Sequence, residues 1–349
     1  MRAKARYAFV DALRGVAAIG VVLYHVYTKN LWPMSGYRLP EPLHAICNNG
    51  NLGVYIFFVI SGFVITQSIR SADITPRFVG WFALRRSLRL DPPYWATIAA
   101  MIALSYVSGR VQRDHAALPL PSWDAVVAHL FYLQGFLGYP QIVGVFWTLC
   151  YELQFYLALV VLTGVWQWLQ PVLRTRWLVF GPLWIAALWC VAHSPDPTGE
   201  VVFVYAWPYF FLGVVVNWVH NREVPPLALA VIAAGTAVVL PFAPLKDGIA
   251  LVTAGAIYAV SVAGQLASLT LGRALQYLGR ISYSLYLVHM LIGTPLVRFG
   301  LRHLGPMHLT TALALTGLGV GASVAAAHVM YVVIERPAVQ WSRRLREIH

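Results

Sequence analysis

The sequence predicts an all-α, polytopic integral membrane protein, and both its composition and the placement of its charges support this fold class. Of the 349 residues, 59% are hydrophobic and 11% are charged, whereas about a quarter of the residues in soluble domains are charged. So few charged residues could not cover the soluble domains that a chain of this length would form. This excludes a soluble enzyme, a disordered protein and an ordinary nucleic-acid binder. The basic residues also lie in short clusters between long apolar runs.

Ten apolar segments predict about ten transmembrane helices, since a helix needs about 17–25 mostly apolar residues to cross a bilayer. The predicted spans are 8–27, 52–69, 93–108, 142–169, 177–193, 201–219, 226–243, 249–268, 281–300 and 308–334. Residues 1–349 are expected to hold a single transmembrane domain with its core at 8–337, followed by a basic cytoplasmic tail at 338–349. A further apolar stretch, 124–139, fits an interfacial segment, a re-entrant segment or an eleventh span.

The distribution of positive charge predicts that both termini lie in the cytoplasm. The formal net charge is +12, from 25 Lys and Arg residues against 13 Asp and Glu residues. When ten spans alternate from a cytoplasmic N-terminus, more than twice as many Lys and Arg residues lie on that side as on the other, as the positive-inside rule requires. An eleventh span would put the Arg-rich tail outside. The first apolar run contains Asp11 and Arg14 and lacks a clean cleavage site, which favours a retained span over a signal peptide.

The first span carries three ionisable residues, Asp11, Arg14 and His25. Such groups are costly at bilayer depth, so they are functional candidates by default. The eleven-residue step from Arg14 to His25 is within about 20° of three whole turns, so both side chains share one face, about 16 Å apart along the axis. Alternatively, Asp11 and Arg14 are interfacial anchors and His25 is a packed, hydrogen-bonded histidine. The shared face favours a functional role.

The segment after the second span predicts a phosphate-binding site on the cytoplasmic side. Arg86 and Arg89 lie one helical turn apart, and Arg85 and Arg89 also meet at a spacing of four residues. Guanidinium groups bind phosphates bidentately, so these arginines are candidates for holding a polyphosphate cofactor. A topology anchor on anionic lipid fits the pattern equally well. Within the second span itself, Ser61-Gly62 is typical of close helix packing.

Two later spans carry polar residues that are candidates for lining a cavity. Glu152 lies within the fourth span, where a carboxylate should be paired, protonated or facing a polar cavity. Trp147 and Tyr151 give the same helix polar edges. A stripe at helical spacing in the ninth span consists of Ser282, Tyr286 and His289. The histidines are not at metal-ligand spacing, so the sequence predicts no metal site.

Taken in order along the chain, these motifs resemble the acyltransferase-3 family, multi-span bacterial membrane enzymes that O-acylate sugars. The matching pieces are Arg14 and His25 with ten residues between them, FFVISGF at 57–63, Arg86 and Arg89 with the proline and aromatic residues that follow, FWTLCYELQFY at 146–156, LGRISYSLYLVH at 278–289 and ERP at 335–337. FWTLCYELQFY is especially similar to members that modify exopolysaccharide. The ERP piece also predicts the end of the last helix.

The sequence departs from many members of that family at two acidic positions. Tyr55 stands where relatives carry an acidic residue in the second span, and Leu153 where they carry a second acidic residue in the fourth. Roles that rest on those carboxylates therefore do not transfer. Some relatives also carry a soluble hydrolase-like domain after the last span. This sequence has a short basic tail there, so acceptor selection is expected within the membrane domain.

The resemblance implies a membrane-bound O-acyltransferase that moves an acyl group, in the first instance acetyl, from cytoplasmic acyl-CoA to a sugar hydroxyl. The acceptor would be an exopolysaccharide, another surface glycan or its lipid-linked precursor. His25 is the predicted general base, because an alcohol needs a positioned base at neutral pH, and Glu152 is predicted to orient His25 or the sugar. The predicted donor-binding residues are Arg14, Arg85, Arg86, Arg89, Ser61 and Tyr94. The predicted acceptor-binding residues are Trp147, Tyr151, Ser282, Tyr286 and His289.

The same resemblance predicts the partners and the location of the protein. The expected partners are the lipid bilayer, acyl-CoA as co-substrate and a carbohydrate acceptor, with no nucleic acid and no metal, and the expected location is the bacterial cytoplasmic (inner) membrane. An acyl-histidine intermediate is the alternative to direct transfer. A transporter or flippase without acyl transfer also fits ten spans with buried charges. A membrane scaffold is the third possibility, and it would tolerate substitution of His25.

Overall fold

The computed structural model describes residues 7–111, 120–193, 202–238, 244–304 and 307–344. Every regular element in these ranges is a helix, and no strand occurs within them. The all-α prediction is therefore confirmed for the described part of the chain. A helix satisfies its backbone hydrogen bonds within one segment, which is what a lipid environment requires.

The helices follow the apolar runs of the sequence closely. The α-helices are α1 (Ala8–Leu23), α2 (Trp32–Ser35), α3 (Glu41–Asn48), α4 (Gly53–Ile69), α5 (Pro76–Val111), α6 (Trp123–Leu130), α7 (Trp147–Leu169), α8 (Trp177–His193), α9 (Trp207–His220), α10 (Pro226–Ala237), α11 (Pro244–Val262), α12 (Arg273–Arg280), α13 (Ser282–His303), α14 (Leu309–Met330) and α15 (Arg336–Arg344). Two π-helical segments, Tyr24–Leu31 and Tyr331–Glu335, continue α1 and α14. Short 3₁₀ turns precede α4 and α9.

By length and composition, seven helical stretches in the described ranges could cross a membrane. They are Ala8–Ser35, Glu41–Ile69, Trp147–Leu169, Phe203–His220, Leu245–Val262, Ser282–His303 and Leu309–Arg344. The three other predicted spans correspond to the second half of α5 and to α8 and α10, of which the last two are shorter apolar helices. The chain thus has the helices of a polytopic membrane protein. The number of ten spans and the cytoplasmic termini remain predictions.

The stretch 124–139 does not form a spanning helix. Its only helix, α6, has eight residues, far fewer than the roughly 17 that a span requires, and turns follow it. The segment packs along the middle of α5: Trp95 Nε1 donates to the carbonyl of Leu130 at 3.3 Å, and the Tyr132 hydroxyl donates to Asp91 at 3.0 Å. This excludes an eleventh helical span here and leaves the interfacial and re-entrant alternatives.

The chain divides into two compact units, and the first is centred on the contact between α4 and α9. It comprises the described parts of Met1–Ala17, Leu52–Ala83 and Cys150–Arg280. Gly62 lies against the backbone of Phe210, and Gly213 lies against the backbone of Val59. A Cβ atom at either glycine would collide with the facing carbonyl oxygen, so the missing side chains let the two backbones touch. The close-packing interpretation of the Ser61-Gly62 pair therefore holds for Gly62.

The second unit contains the C-terminal part of the first helix together with α13 and α14. It comprises the described parts of Ala18–Asn51, Leu84–Leu149 and Ile281–His349. The helices α13 and α14 meet at Gly293 and Gly319, where a Cβ on Gly293 would lie 2.8 Å from the carbonyl oxygen of Gly319. The π-helical segment Tyr24–Leu31 packs against both of them. This contact sets the position of His25.

Two helices are longer than the sequence predicts. The Arg-rich stretch and the third predicted span form one helix, the 36-residue α5, which continues through Pro92 and Pro93. The predicted helix end at 335–337 is wrong, because the last helix continues through the π-helical segment and α15 to Arg344. Pro337 is tolerated because it lies in the first turn of α15, just after the hydrogen-bond ladder has shifted register at the π-helical segment.

Candidate active site

In the second unit, the structure brings together two of the predicted site residues, His25 and His289. Nδ1 of His25 lies 3.2 Å from Nε2 of His289, and the ring centroids are 5.0 Å apart. His25 is half-buried, and His289 is fully buried. The two predicted site helices therefore meet at a pair of imidazoles.

The backbone around each ring assigns the protons of the pair. Nδ1 of His25 lies 2.9 Å from the carbonyl oxygen of Val21, and Nδ1 of His289 lies 3.1 Å from that of Leu285. A carbonyl oxygen can only accept a hydrogen bond, so both Nδ1 atoms carry the hydrogen when the rings are neutral. Nε2 of His289 then presents its lone pair to the Nδ1–H of His25.

This assignment leaves Nε2 of His25 as the second ring nitrogen with a lone pair. No residue in the described ranges donates a hydrogen bond to it. A neutral imidazole whose Nδ1–H is held by acceptors and whose Nε2 receives no hydrogen bond from the described residues has the arrangement of a general base. The pair can therefore accept a proton from a hydroxyl at Nε2 of His25.

A change of helix type lies between Arg14 and His25. The α-helical part of the first helix ends at Leu23, and His25 lies in the first turn of the π-helical segment Tyr24–Leu31. The rotation of about 100° per residue that predicts a shared face applies to an α-helix, so it holds up to Leu23. The shared face of Arg14 and His25 therefore remains a prediction. Segments with π geometry often occur at functional sites.

The stripe on α13 is buried in the second unit. The Tyr286 hydroxyl lies 2.6 Å from Thr148 Oγ1 and 3.2 Å from the carbonyl oxygen of Val145, and its ring centroid is 5.9 Å from that of His289. Ser282 is 1% exposed at the first residue of α13. Tyr286 therefore packs beside His289, and its hydroxyl is held within the unit.

Glu152 and Ser61 meet in the first unit. The Ser61 hydroxyl donates to Glu152 Oε1 at 2.8 Å, and the Tyr156 hydroxyl donates to the same oxygen. Glu152 Oε2 accepts no hydrogen bond from the described residues. On the same helix, Tyr151 is buried, and Trp147, at the start of α7 in the second unit, is half-buried. Glu152 is thus oriented by two hydroxyl groups, with one carboxylate oxygen left as an acceptor.

The predicted donor-binding residues occur in both units. Arg14 belongs to the first unit and is half-buried. Arg86 and Arg89 are half-buried on α5 in the second unit. Arg85 is linked to α15, because its Nε donates to the carbonyl of Ser342 at 3.4 Å and its own carbonyl accepts from the Ser342 hydroxyl at 2.9 Å. The α5 arginines therefore lie on a helix whose position α15 helps to fix.

Tyr94, the last of the predicted donor-binding residues, is completely buried in the second unit. Its ring stacks on Tyr132 with a centroid distance of 4.5 Å and meets the edge of Phe146 at 4.6 Å. This packing explains the burial and joins α5 to the segment before α7. The side chain contributes most directly to the fold of this region.

The first unit contains a cavity of about 750 Å³, a volume in the usual range for a ligand pocket. Its polar wall includes Glu223, which pairs with Arg70 at 2.6 Å and with Arg176 at 2.8 Å, and the Arg176 guanidinium lies 4.7 Å from the centroid of the Trp218 ring. These charges are thus already paired within the unit. In the described ranges, no group of three or more His, Cys, Asp or Glu residues could hold a metal ion.

The sequence does not identify Thr148 and Glu335 as residues that support the histidine pair. Thr148 forms a hydrogen bond with the Tyr286 hydroxyl. A threonine that follows a tryptophan is an ordinary pattern in a helix, so the sequence does not indicate this role. Glu335 is 6% exposed and accepts hydrogen bonds from the Ser284 backbone N–H at 3.2 Å and from its hydroxyl at 2.5 Å. Glu335 thereby caps the N-terminus of the helix that carries His289. The ERP piece was the available signal, but it pointed only to a helix end.

The chain is similar to several known proteins, and two of the three named here match most of its length. Acyltransferase MdmB of Streptomyces mycarofaciens is 26% identical over 385 residues, an alignment that covers 97% of this chain and 93% of that protein. Exopolysaccharide production protein ExoZ of Rhizobium meliloti strain 1021 is 28% identical over 323 residues, covering 85% and 92%. Peptidoglycan O-acetyltransferase OatA of Listeria monocytogenes is 27% identical over 157 residues, covering 42% and 22%. No solved structure matches the chain.

The family match extends over nearly the whole sequence. The model of the acyltransferase-3 family, described as an acyltransferase domain, matches residues 7–331. This range includes the histidine pair, Glu152 and the arginines of α5. It stops at the first residue of the second π-helical segment. The chain therefore belongs to the acyltransferase-3 family.

Proposed function

We propose that this protein is a membrane O-acyltransferase that moves an acyl group, acetyl in the first instance, from cytoplasmic acyl-CoA to a sugar hydroxyl. The acceptor is an exopolysaccharide, another surface glycan or its lipid-linked precursor. Family membership supports acyl transfer, and the names of the ExoZ and OatA relatives support a polysaccharide acceptor and an acetyl group. The observation that carries the proposal is the contact of His25 with a fully buried His289, while Nε2 of His25 accepts no hydrogen bond from the described residues.

In the proposed reaction, His25 activates the acceptor directly. Its Nε2 takes the proton of the sugar hydroxyl as the oxygen attacks the thioester carbonyl carbon. The carbon–sulfur bond then breaks, and the CoA sulfur leaves with the electron pair. The imidazolium returns the proton to that sulfur, so the products are the sugar ester and free CoA thiol. In the alternative, the imidazole attacks the thioester itself and forms an acyl-histidine.

His289 supports this cycle through the Nδ1–H of His25. Val21 and His289 accept that hydrogen before the reaction, and they can continue to do so once the ring is protonated. Their lone pairs then face a positive imidazolium, which stabilises it as the charge develops. Tyr286 packs beside His289, and we assign Ser282 and Tyr286 to the acceptor side of the site. Glu152 offers Oε2 as an acceptor for a sugar hydroxyl, with Trp147 and Tyr151 on the same helix.

We assign the donor end to the arginines. Arg14, Arg85, Arg86 and Arg89 would bind the phosphates of CoA, which cannot enter the bilayer, while the pantetheine arm reaches towards His25. Guanidinium groups suit this role because they bind phosphate with paired hydrogen bonds. Arg86 and Arg89 lie one turn apart on α5, a spacing that presents two guanidinium groups to one ligand.

The direct test is to incubate the purified protein with labelled acetyl-CoA and candidate glycans. We expect labelled glycan and an equal amount of free CoA thiol, and His25→Ala should lower turnover by about 10²–10⁴-fold because a positioned base is lost. The matched control is His303→Ala, an exposed histidine on α13. Near-normal turnover in His25→Ala contradicts the assigned base. Glycan movement without thioester consumption indicates a transporter, and a burst of thiol without acceptor indicates an acyl-histidine.

The same assay tests the donor end through its dependence on acetyl-CoA concentration. Replacing both Arg86 and Arg89 by alanine should raise the KM for acetyl-CoA by about tenfold or more, because each charge-assisted hydrogen bond contributes about 1.5–3 kcal/mol. The control is the double change Arg343→Ala plus Arg344→Ala, since these exposed arginines lie on α15. An unchanged KM in the α5 variant would indicate that Arg86 and Arg89 anchor the helix to lipid and do not bind the donor.

A further inference from the structure

The π-helical segment that carries His25 is fastened by a buried asparagine. Asn30 is 2% exposed, and its Nδ2 donates to the carbonyl oxygen of His25 at 2.5 Å. The same amide nitrogen lies 3.5 Å from Thr294 Oγ1, and Oδ1 accepts from Nε of Arg298 at 2.8 Å. Because a primary amide has two hydrogens and one carbonyl oxygen to use, these three contacts fix the orientation of the amide.

The position of Asn30 matches the geometry of the segment. In a π-helix the carbonyl of one residue faces the backbone N–H five residues later, and Asn30 is five residues after His25. Its side chain therefore donates to the carbonyl at the turn where the helix changes from α to π. A carbonyl that accepts this bond cannot swing back to the α-helical position without losing it. The contact favours the wider turn, and the wider turn sets the direction of the His25 ring.

Arg298 ties this contact to the helix of the partner histidine. Thr294 and Arg298 lie on α13, as His289 does. The first helix and α13 are thus joined twice, once by the two imidazoles and once by the Asn30 amide. Both contacts are within the second unit. The Asn30 amide holds the backbone carbonyl of His25, and the ring of the same histidine contacts His289.

We propose that Asn30, fixed by Arg298, is a positioning residue that holds His25 in line with His289 and with the acceptor hydroxyl. This inference rests on the proposed function, in which His25 is the base. Asn30 acts through the carbonyl of His25 and touches neither substrate. Its loss leaves the imidazole present but free to turn with the backbone, and a misplacement of about 1 Å in a catalytic group can cost about 10²-fold in rate.

The test separates the chemical step from substrate binding. Asn30→Ala is expected to lower kcat about tenfold to a hundredfold with the KM for acetyl-CoA within about twofold of wild type. Asn30→Asp should behave similarly, because a carboxylate can still accept from Arg298 but repels the carbonyl of His25. Arg298→Gln, a change at an exposed residue, should lower kcat about threefold to tenfold. The Asn30 amide is still present in this variant, but it loses the hydrogen bond from Arg298 that fixes its orientation. The matched control is Asn49→Ala, which removes an amide bonded to the carbonyl of Ala45 at 2.9 Å.

The outcomes distinguish this inference from the proposed function. If His25→Ala is inactive while Asn30→Ala and Arg298→Gln keep the wild-type kcat, the positioning role is wrong and the base assignment stands. If His25→Ala is active, the proposed function fails first. A rise in KM alone, or a loss of activity that matches a loss of monodisperse protein in all three variants, would show a binding or structural role. A fall in kcat with intact protein and the same KM supports positioning.

Discussion

His25 in the first helix and His129 in α6 make the same local hydrogen bond through Nδ1, and they differ in the hydrogen-bond partner of Nε2. In each, Nδ1 lies close to the carbonyl oxygen four residues earlier, at 2.9 Å for His25 and 2.7 Å for His129. Nε2 of His129 then accepts from the backbone N–H of Ile142 at 3.1 Å. Nε2 of His25 accepts from no described residue.

The difference separates a structural histidine from a catalytic candidate. His129 uses both nitrogens to close the turn after α6, and burial lowers its pKa below the ordinary 6.5. Taking up a proton at Nε2 would break its bond to Ile142. A base needs a lone pair that is oriented but unused, and only His25 of these two has one. A buried histidine is thus a catalytic candidate only when one nitrogen has no internal partner.

The largest effect expected in this comparison concerns the partner of His25. His289→Ala should lower kcat about tenfold to a hundredfold, because the acceptor that faces Nδ1–H of His25 is lost and the charge on the imidazolium is less well stabilised. Single-turnover transfer of labelled acetyl groups measures this step. His303→Ala on the same helix is the control and should stay within about twofold. Full activity of His289→Ala would mean that the pair contributes only to packing.

A smaller effect, on stability alone, is expected at His129. His129→Gln should keep kcat within about threefold and lower the free energy of unfolding by about 1–2 kcal/mol, because buried hydrogen bonds are disturbed. Since the folded-state pKa is lowered, protonation favours the unfolded state, and wild type loses stability as the pH falls below about 6.5. Glutamine does not take up a proton in this pH range, so His129→Gln lacks this acid-induced loss of stability. Thermal unfolding in detergent at about pH 8 and about pH 5.5 measures the difference, and an equal acid loss in both proteins would contradict it.

The smallest effect is expected at the Tyr286 hydroxyl. Its contacts with Thr148 and Val145 already use its proton, so Tyr286→Phe should change kcat by about threefold or less. A hydroxyl that stabilises the oxyanion would instead cost about 10²–10³-fold when removed. Initial rates at saturating acetyl-CoA distinguish the two roles. A loss of the larger size would mean that the hydroxyl turns from Thr148 towards the reacting carbonyl.

Local sequence identifies Arg14, His25, Glu152 and His289 as candidates, because ionisable groups in apolar helices are costly and therefore rare. The structure brings His25 and His289 together, while the roles of Arg14 and Glu152 stay predictions. The pairing of His25 with His289 could not be predicted, because 264 residues separate them and a stripe on one helix does not identify the helix it faces. The contacts of Asn30 could not be predicted for the same reason, because Thr294 and Arg298 lie 264 and 268 residues further along the chain.

Two details of helix geometry could not be predicted from the sequence either. The change from α to π at Tyr24 leaves no mark in the apolar pattern, because a wider helical turn does not alter the composition of the helix. The continuation of the last helix beyond Pro337 was mispredicted because proline is compatible with the first turn of a new helix. Both features depend on hydrogen bonds that form only when neighbouring helices are in place.

The amino-acid sequence by itself determined that this chain consists of apolar helices, because the preference of each residue for lipid or water adds along a segment whatever the segment touches. The order of its short motifs, and not its composition, carried the resemblance to the acyltransferase-3 family. Only the tertiary structure decided that two distant imidazoles meet and that, among the described residues, none donates to Nε2 of His25. A lone pair is free or occupied according to which groups lie within about 3 Å of it, and those groups come from other helices.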